Sequence, residues 1–149
     1  MMFVAVLVFT GCQYPVTKYN VSIVGTWDSA THEHWVITAK TVDTSGTGYV
    51  SYAGNNLVLV MDDDNSGYLF IKYTRAANSS WEYVTDSTQA PDIGKWYAIH
   101  FKDLTNTSVR MSGAYKAGGA TSKATLEEAM TEFTVANGYF AGYSDFTRQ

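Results

Sequence analysis

From Val21 onward the chain is a succession of short runs of β-branched and aromatic residues, each closed off by Gly, Asn, Asp or Ser. Runs of that length and composition form consecutive antiparallel strands. The pattern predicts about eight of them, over 22–29, 34–40, 48–53, 56–62, 68–74, 81–85, 95–102 and 108–116, with a ninth over 139–145. Gly54-Asn55 and Asn65-Ser66-Gly67 read as hairpin turns, because Asn and Gly tolerate the positive φ that tight turns need. In 108–116 Val109, Met111, Gly113 and Tyr115 share one face, while Arg110, Ser112, Ala114 and Lys116 share the other, so this strand is half buried. In 57–61 and 69–73 both faces are apolar or aromatic, which predicts central strands covered on each side.

One segment reads as a helix. Thr125-Leu126-Glu127-Glu128 has the spacing of a capping box, Ala129, Met130 and Phe133 continue an apolar stripe, and Asn137-Gly138 is the expected stop. Glu127 and Glu128 belong to that cap, where they favour the positive end of the helix dipole. Consecutive strands with one late helix favour a mainly β fold, a small closed antiparallel barrel, since closure removes exposed sheet edges. A two-sheet sandwich is the alternative. With 149 residues, 46% of them hydrophobic and 16% charged, the chain has room and apolar content for one domain, expected over 22–149.

Ahead of that domain, Met1 to Phe9 is an uncharged apolar run, shorter than the roughly 20 residues a membrane-spanning helix needs and suited to the core of an export signal. Phe9-Thr10-Gly11-Cys12 follows and resembles the lipobox of bacterial lipoproteins. The resemblance implies a signal peptide over 1–11, a lipid on Cys12, and a polar tether over 12–21 containing Pro15. It implies a place in the bacterial cell envelope, with the domain held on a membrane by acyl chains and facing water on the periplasmic or outer side. Read without the resemblance, the same residues also admit a buried first strand ending at a core cysteine.

Ile23-Val24-Gly25-Thr26-Trp27 resembles the Gly-x-Trp opening of lipocalins and related calycin barrels, which implies that Trp27 closes one barrel end beneath a cavity. Gly94-Lys95-Trp96-Tyr97, Ser112-Gly113-Ala114-Tyr115-Lys116, Thr125-Leu126-Glu127-Glu128-Ala129 and Asn137-Gly138-Tyr139-Phe140 resemble segments of small uncharacterised lipoproteins of spirochaetes. That likeness implies an envelope lipoprotein with a small barrel, and it assigns no functional residue.

Several chemistries have no footing in the sequence. Net charge is −4 with Lys and Arg scattered, so no basic stripe exists to neutralise phosphates and nucleic acid is not an expected partner. Cys12 is the single cysteine, which leaves the domain without a thiol nucleophile or a disulfide. No Gly-x-Ser-x-Gly elbow, GxGxxG or phosphate-binding loop occurs, so neither catalysis nor a cofactor is expected. His32-Glu33-His34 could offer two imidazoles from one strand face to a metal, with His100 as a third ligand, or else form an exposed hairpin tip. Alternation of Trp96, Ala98 and His100 against Tyr97, Ile99 and Phe101 leaves the direction of His100 open. Asp62 to Gly67 begins like a calcium loop, but the twelfth position is Tyr73 where a bidentate Glu is required, which favours an acidic turn.

Aromatic side chains are the remaining resource: Trp27, Trp35, Trp81, Trp96, Tyr73, Tyr97, Phe101 and Tyr115 exceed what a small core needs. Trp27, Trp35, Tyr73, Trp96 and Tyr115 are the expected walls of an interior site for a small apolar or aromatic ligand. A competing expectation is a solid barrel whose loops, 76–80 and 87–91, meet a protein partner.

Overall fold

The computed structural model describes residues 21–46 and 51–149. The expected signal peptide, Cys12 and the tether up to residue 20 lie outside these residues, as do 48–50 of the strand expected over 48–53. Nine strands and one helix occur among them, in the order β1 (Gly25–Ser29), β2 (Glu33–Ile37), β3 (Val42–Gly46), β4 (Ala53–Met61), β5 (Gly67–Ala77), β6 (Tyr83–Val84), β7 (Trp96–Lys102), β8 (Ser108–Gly113), α1 (Leu126–Glu132) and β9 (Ser144–Arg148). Strands β1 to β5 form an antiparallel meander; β5 then pairs with β7, β7 with β8, β8 with β9, and β9 returns to β1. The result is a closed eight-stranded antiparallel barrel, the expected mainly β architecture, with the short β6 added to the end of β5.

Cross-strand register places the interior side chains. Trp27 lies opposite Trp35, Ile37 opposite Val42, Leu69 opposite Ile99, Phe101 opposite Met111 and Val109 opposite Phe146, and all ten are buried. The outer face of β5 and β7 is covered as well. Helix α1 packs there through Ala129 and Phe133, and Phe140 meets the Tyr68 ring edge-on at 5.7 Å. This cover explains why β5 is apolar on both faces. It does not extend along β4, whose Leu59 and Met61 stay exposed, contrary to the expectation for 57–61.

Other elements also depart from the sequence pattern, each for a physical reason. Strand β3, Val-Asp-Thr-Ser-Gly, carries too little apolar signal to be read; it is held by five paired positions against β2 and by Thr44 Oγ1 donating to the Tyr52 carbonyl at 2.9 Å. Gly54-Asn55 is not a turn but lies inside β4, where the register with β5 shifts and Asn56 takes φ 53°. The residue types suited to a turn build a bulge there. Helix α1 has the expected capping box at Thr125 and Glu128, yet it stops at Glu132. Asn137 Nδ2 reaches back to the carbonyls of Thr131 (3.0 Å) and Glu132 (2.8 Å), so the expected stop signal caps the helix from beyond its end. The last strand begins at Ser144, because Tyr139 and Phe140 of the expected 139–145 strand are taken up in the covering layer.

One barrel end is closed by Trp27. Its fully buried indole donates from Nε1 to the Ile23 carbonyl at 2.9 Å, and the Arg148 guanidinium lies 4.0 Å from the ring centroid. Arg148 also donates to the carbonyls of Ser22, Val24 and Asn106, tying the chain ahead of β1 to the last strand. A Cβ at Gly25 would meet that guanidinium, and Gly25 holds φ 155°, a conformation that L side chains rarely adopt.

Candidate functional site

The two longest connections, 78–95 and 114–143, leave from the opposite end of the barrel. Two adjoining cavities open there. A mouth cleft of about 350 Å³ is lined by Tyr52, Tyr73, Trp81, Tyr83, Tyr97 and Tyr115, with Asp92 and Lys116 among the charged groups at its edge. A smaller pocket of about 200 Å³ adjoins it, lined by Glu33, Trp35, Tyr52, Tyr97, Met111 and Gly113 among others. Tyr52, Tyr97 and Tyr115 belong to both.

Barrel closure builds the floor from aromatic rings. Tyr73 and Tyr97 stack with centroids 4.8 Å apart at 25°, while Tyr52 stands edge-on to Tyr97 (5.2 Å) and to Tyr73 (6.0 Å). Trp35 meets Tyr52 edge-on at 5.8 Å and leans on Phe146 at 5.2 Å. These offset and edge-on geometries are the ones that aromatic quadrupoles favour. Gly113 makes room for the arrangement, since a Cβ there would collide with the Tyr97 hydroxyl. Burial pushes the phenols of Tyr52, Tyr73 and Tyr97 well above their ordinary range, so all three stay protonated at neutral pH.

Alternation along β2 turns Glu33, Trp35 and Ile37 inward and His34 and Val36 outward. Glu33 therefore enters the pocket while remaining only 9% exposed. At the rim, Trp81 is 81% exposed and holds φ 63°, a left-handed conformation that a bulky side chain seldom adopts. Asn78 maintains it, its side-chain oxygen accepting from the amides of Ser80 (2.8 Å) and Glu82 (3.0 Å). Tyr115, 74% exposed, completes the rim.

The aromatic residues singled out in the sequence are divided by the fold. Trp35, Tyr73 and Tyr115 converge on the open end. Trp27 is at the closed end, and Trp96 lies outside both cavities, its backbone bridged to Lys123 and its ring 5.9 Å from the Lys72 ammonium. Trp81 and Tyr97 belong to the wider set of surplus aromatics in the sequence, whereas Glu33 and Tyr52 do not. For Glu33 a signal existed, because period-two alternation sets it opposite to both neighbouring histidines.

The histidines do not assemble a metal site; among the described residues no three His, Cys, Asp or Glu side chains come together in that way. His32 occupies the β1–β2 turn with φ 65°, and His34 pairs outside the barrel with Asp28. His100 lies on the outer face of β7 between Tyr143 and Asp62. Asp62 as a carboxylate only accepts, so Nε2–H donates to it across 3.4 Å and Nδ1 accepts from the Tyr143 hydroxyl at 2.8 Å. Burial lowers the His100 pKa and raises that of Tyr143, so both are neutral near pH 7 and Tyr143 is no activated nucleophile. The acidic turn is likewise structural: Asp63 accepts from the Asn65 amide at 2.8 Å, which holds its carboxyl below the usual range.

A larger hollow of about 550 Å³ lies along β8, β9 and β1. Its charges are already paired, Arg110 with Asp145 at 3.0 Å and Asp103 at 3.7 Å, and Asp28 with His34. Among the described residues, none of the buried side-chain polar atoms that lack a hydrogen-bond partner lies in this hollow, whereas three line the inner pocket of the open end. No known protein family, curated protein or solved structure matches this chain.

Proposed function

We propose that this chain is a non-enzymatic binding protein whose barrel takes up a small molecule with an aromatic body at its open end. The observation that carries this reading is the cleft of about 350 Å³ walled by tyrosines and overhung by Trp81. Such a volume sits near the lower end of the roughly 300–1,000 Å³ of small-molecule sites, and such walls are typical of them. The lower half of the barrel is filled by Trp27, Leu69, Ile99 and Phe101, so a long acyl chain has no room to run through it. Strain held at an exposed Trp fits a role at the rim, since such conformations persist where function requires them.

Calorimetric titration of the full chain with phenethyl alcohol and with phenethylamine tests the reading. Saturable, one-to-one binding of at least one probe is expected, weakened about three- to tenfold in Trp81→Ala, the scale of one lost aromatic contact. If neither probe binds, the small-molecule reading fails. The exposure of Trp81 and Tyr115 would then favour a second reading, a protein partner seated over the mouth through aromatic anchors.

The lipobox-like Phe9-Thr10-Gly11-Cys12 extends the proposal to a lipid on Cys12 that tethers the barrel to a membrane of the bacterial envelope. Among the described residues no helix is long and apolar enough to cross a membrane. Expressed in a bacterial host, the chain is expected in the membrane fraction and Cys12→Ser in the soluble fraction. Equal partitioning of the two would remove the anchor from the proposal.

A further inference from the structure

Among the described residues three buried side-chain polar atoms have no hydrogen-bond partner: Glu33 Oε2, Trp35 Nε1 and the Tyr52 hydroxyl. All three residues line the same 200 Å³ pocket. Buried polar atoms in folded proteins are nearly always paired, because an unmade bond forfeits the hydration the group had in water. Three such atoms around one void leave bonding positions open to another molecule. Their identities say what kind. Glu33 is the one acidic or basic side chain in that lining, the rest being aromatic, small or neutral. An anion would face an acceptor-only carboxylate, and an apolar group would leave it unpaired. A metal ion would require further ligands, and no group of three candidates exists among the described residues. A protonated amine meets the two acceptors, Glu33 Oε2 and the Tyr52 oxygen. It donates to Glu33 Oε2 in a charge-assisted bond and to the Tyr52 oxygen, in a pocket whose walls include the Tyr52 and Tyr97 rings. Burial keeps Tyr52 a neutral hydroxyl, so its oxygen accepts without adding charge.

We propose that the inner pocket receives the protonated amine of an aromatic amine, with Glu33 as its counter-charge and the ligand's ring in the tyrosine-walled cleft above. This rests on the reading of the open end as a ligand site. Trp35 Nε1 only donates, so the amine leaves it open and it serves an acceptor on the ligand close to that amine, such as a hydroxyl or carbonyl.

Calorimetry on the full chain separates the inference from the reading beneath it. Phenethylamine and phenethyl alcohol share ring and chain and differ in the charge of the terminal group. Wild type is expected to bind the amine at least about tenfold more tightly than the alcohol, because the ammonium brings a full opposite charge to the Glu33 carboxylate where the hydroxyl brings only a dipole. Glu33→Gln, with its circular dichroism checked against wild type, is expected to abolish that preference. Equal affinity of the two probes for wild type, or a preference that survives in Glu33→Gln, overturns the inference while the ligand site stands. Binding of neither probe overturns both.

Discussion

Replacing Trp27 by alanine is expected to destabilise the barrel by about 3–5 kcal/mol, the range for deleting a fully buried Trp side chain. The indole is fully buried, so its removal combines lost transfer energy with a cavity that rigid strands on either side close only in part. Two further losses follow. The Ile23 carbonyl loses its donor at 2.9 Å, and the Arg148 guanidinium loses the ring beneath it at 4.0 Å. Arg148 also holds the carbonyls of Ser22, Val24 and Asn106, so the damage spreads to the joint between β1 and β9 that closes the barrel. Urea denaturation should show a lower midpoint with the slope retained, meaning the same surface exposed at a smaller stability. Trp81→Ala, at an exposed rim position, should change stability by less than about 0.5 kcal/mol. If the two variants lose similar stability, the closed end does not depend on Trp27.

Glu33→Leu is expected to have the opposite sign. One carboxyl oxygen, Glu33 Oε2, buried inside the barrel with no hydrogen-bond partner, destabilises the empty protein by about 1–3 kcal/mol, the desolvation penalty of an unsatisfied buried group. Leucine has a similar reach and no polar atom to satisfy. The ligand-free variant should therefore unfold at a higher urea concentration than wild type by an amount in that range. Gains of this kind at a binding position are the usual mark of stability given up for function. An unchanged or lower midpoint would mean that the Glu33 carboxylate is already satisfied in solution, and the argument for an amine in the inner pocket would lose its premise.

Much of the architecture could be read from local pattern. Alternation in Val109, Met111 and Gly113, turn residues at Asn65-Ser66-Gly67 and the capping box at Thr125 each act over a few residues, and the fold uses each as its chemistry dictates. The failures are those of long-range determination. Strand β3 exists because β2 pairs with it, not because its own residues favour a strand. The sequence Gly54-Asn55 suits a turn and a bulge equally, and the partner strand β5 decides between them.

For the site, aromatic richness alone pointed to Trp35, Tyr73 and Tyr115, and the same richness pointed to Trp27 and Trp96, which lie elsewhere. In 96–101 either alternate set was apolar enough to face a core. Tyr97, Ile99 and Phe101 turn inward, and Ala98 and His100 turn outward beneath the layer formed by α1 and Phe140. What the sequence determined by itself was a single domain of short antiparallel strands with one capped helix, because spacing and turn chemistry act locally. Only the tertiary structure decided which face of each strand is the inside. Closure of the barrel brought Tyr73 of β5 and Tyr97 of β7 together with Tyr52 from the connection before β4, and set Tyr52 and Tyr97 in one pocket with the buried Glu33, a convergence that depends on long-range pairing and not on any stretch of neighbouring residues.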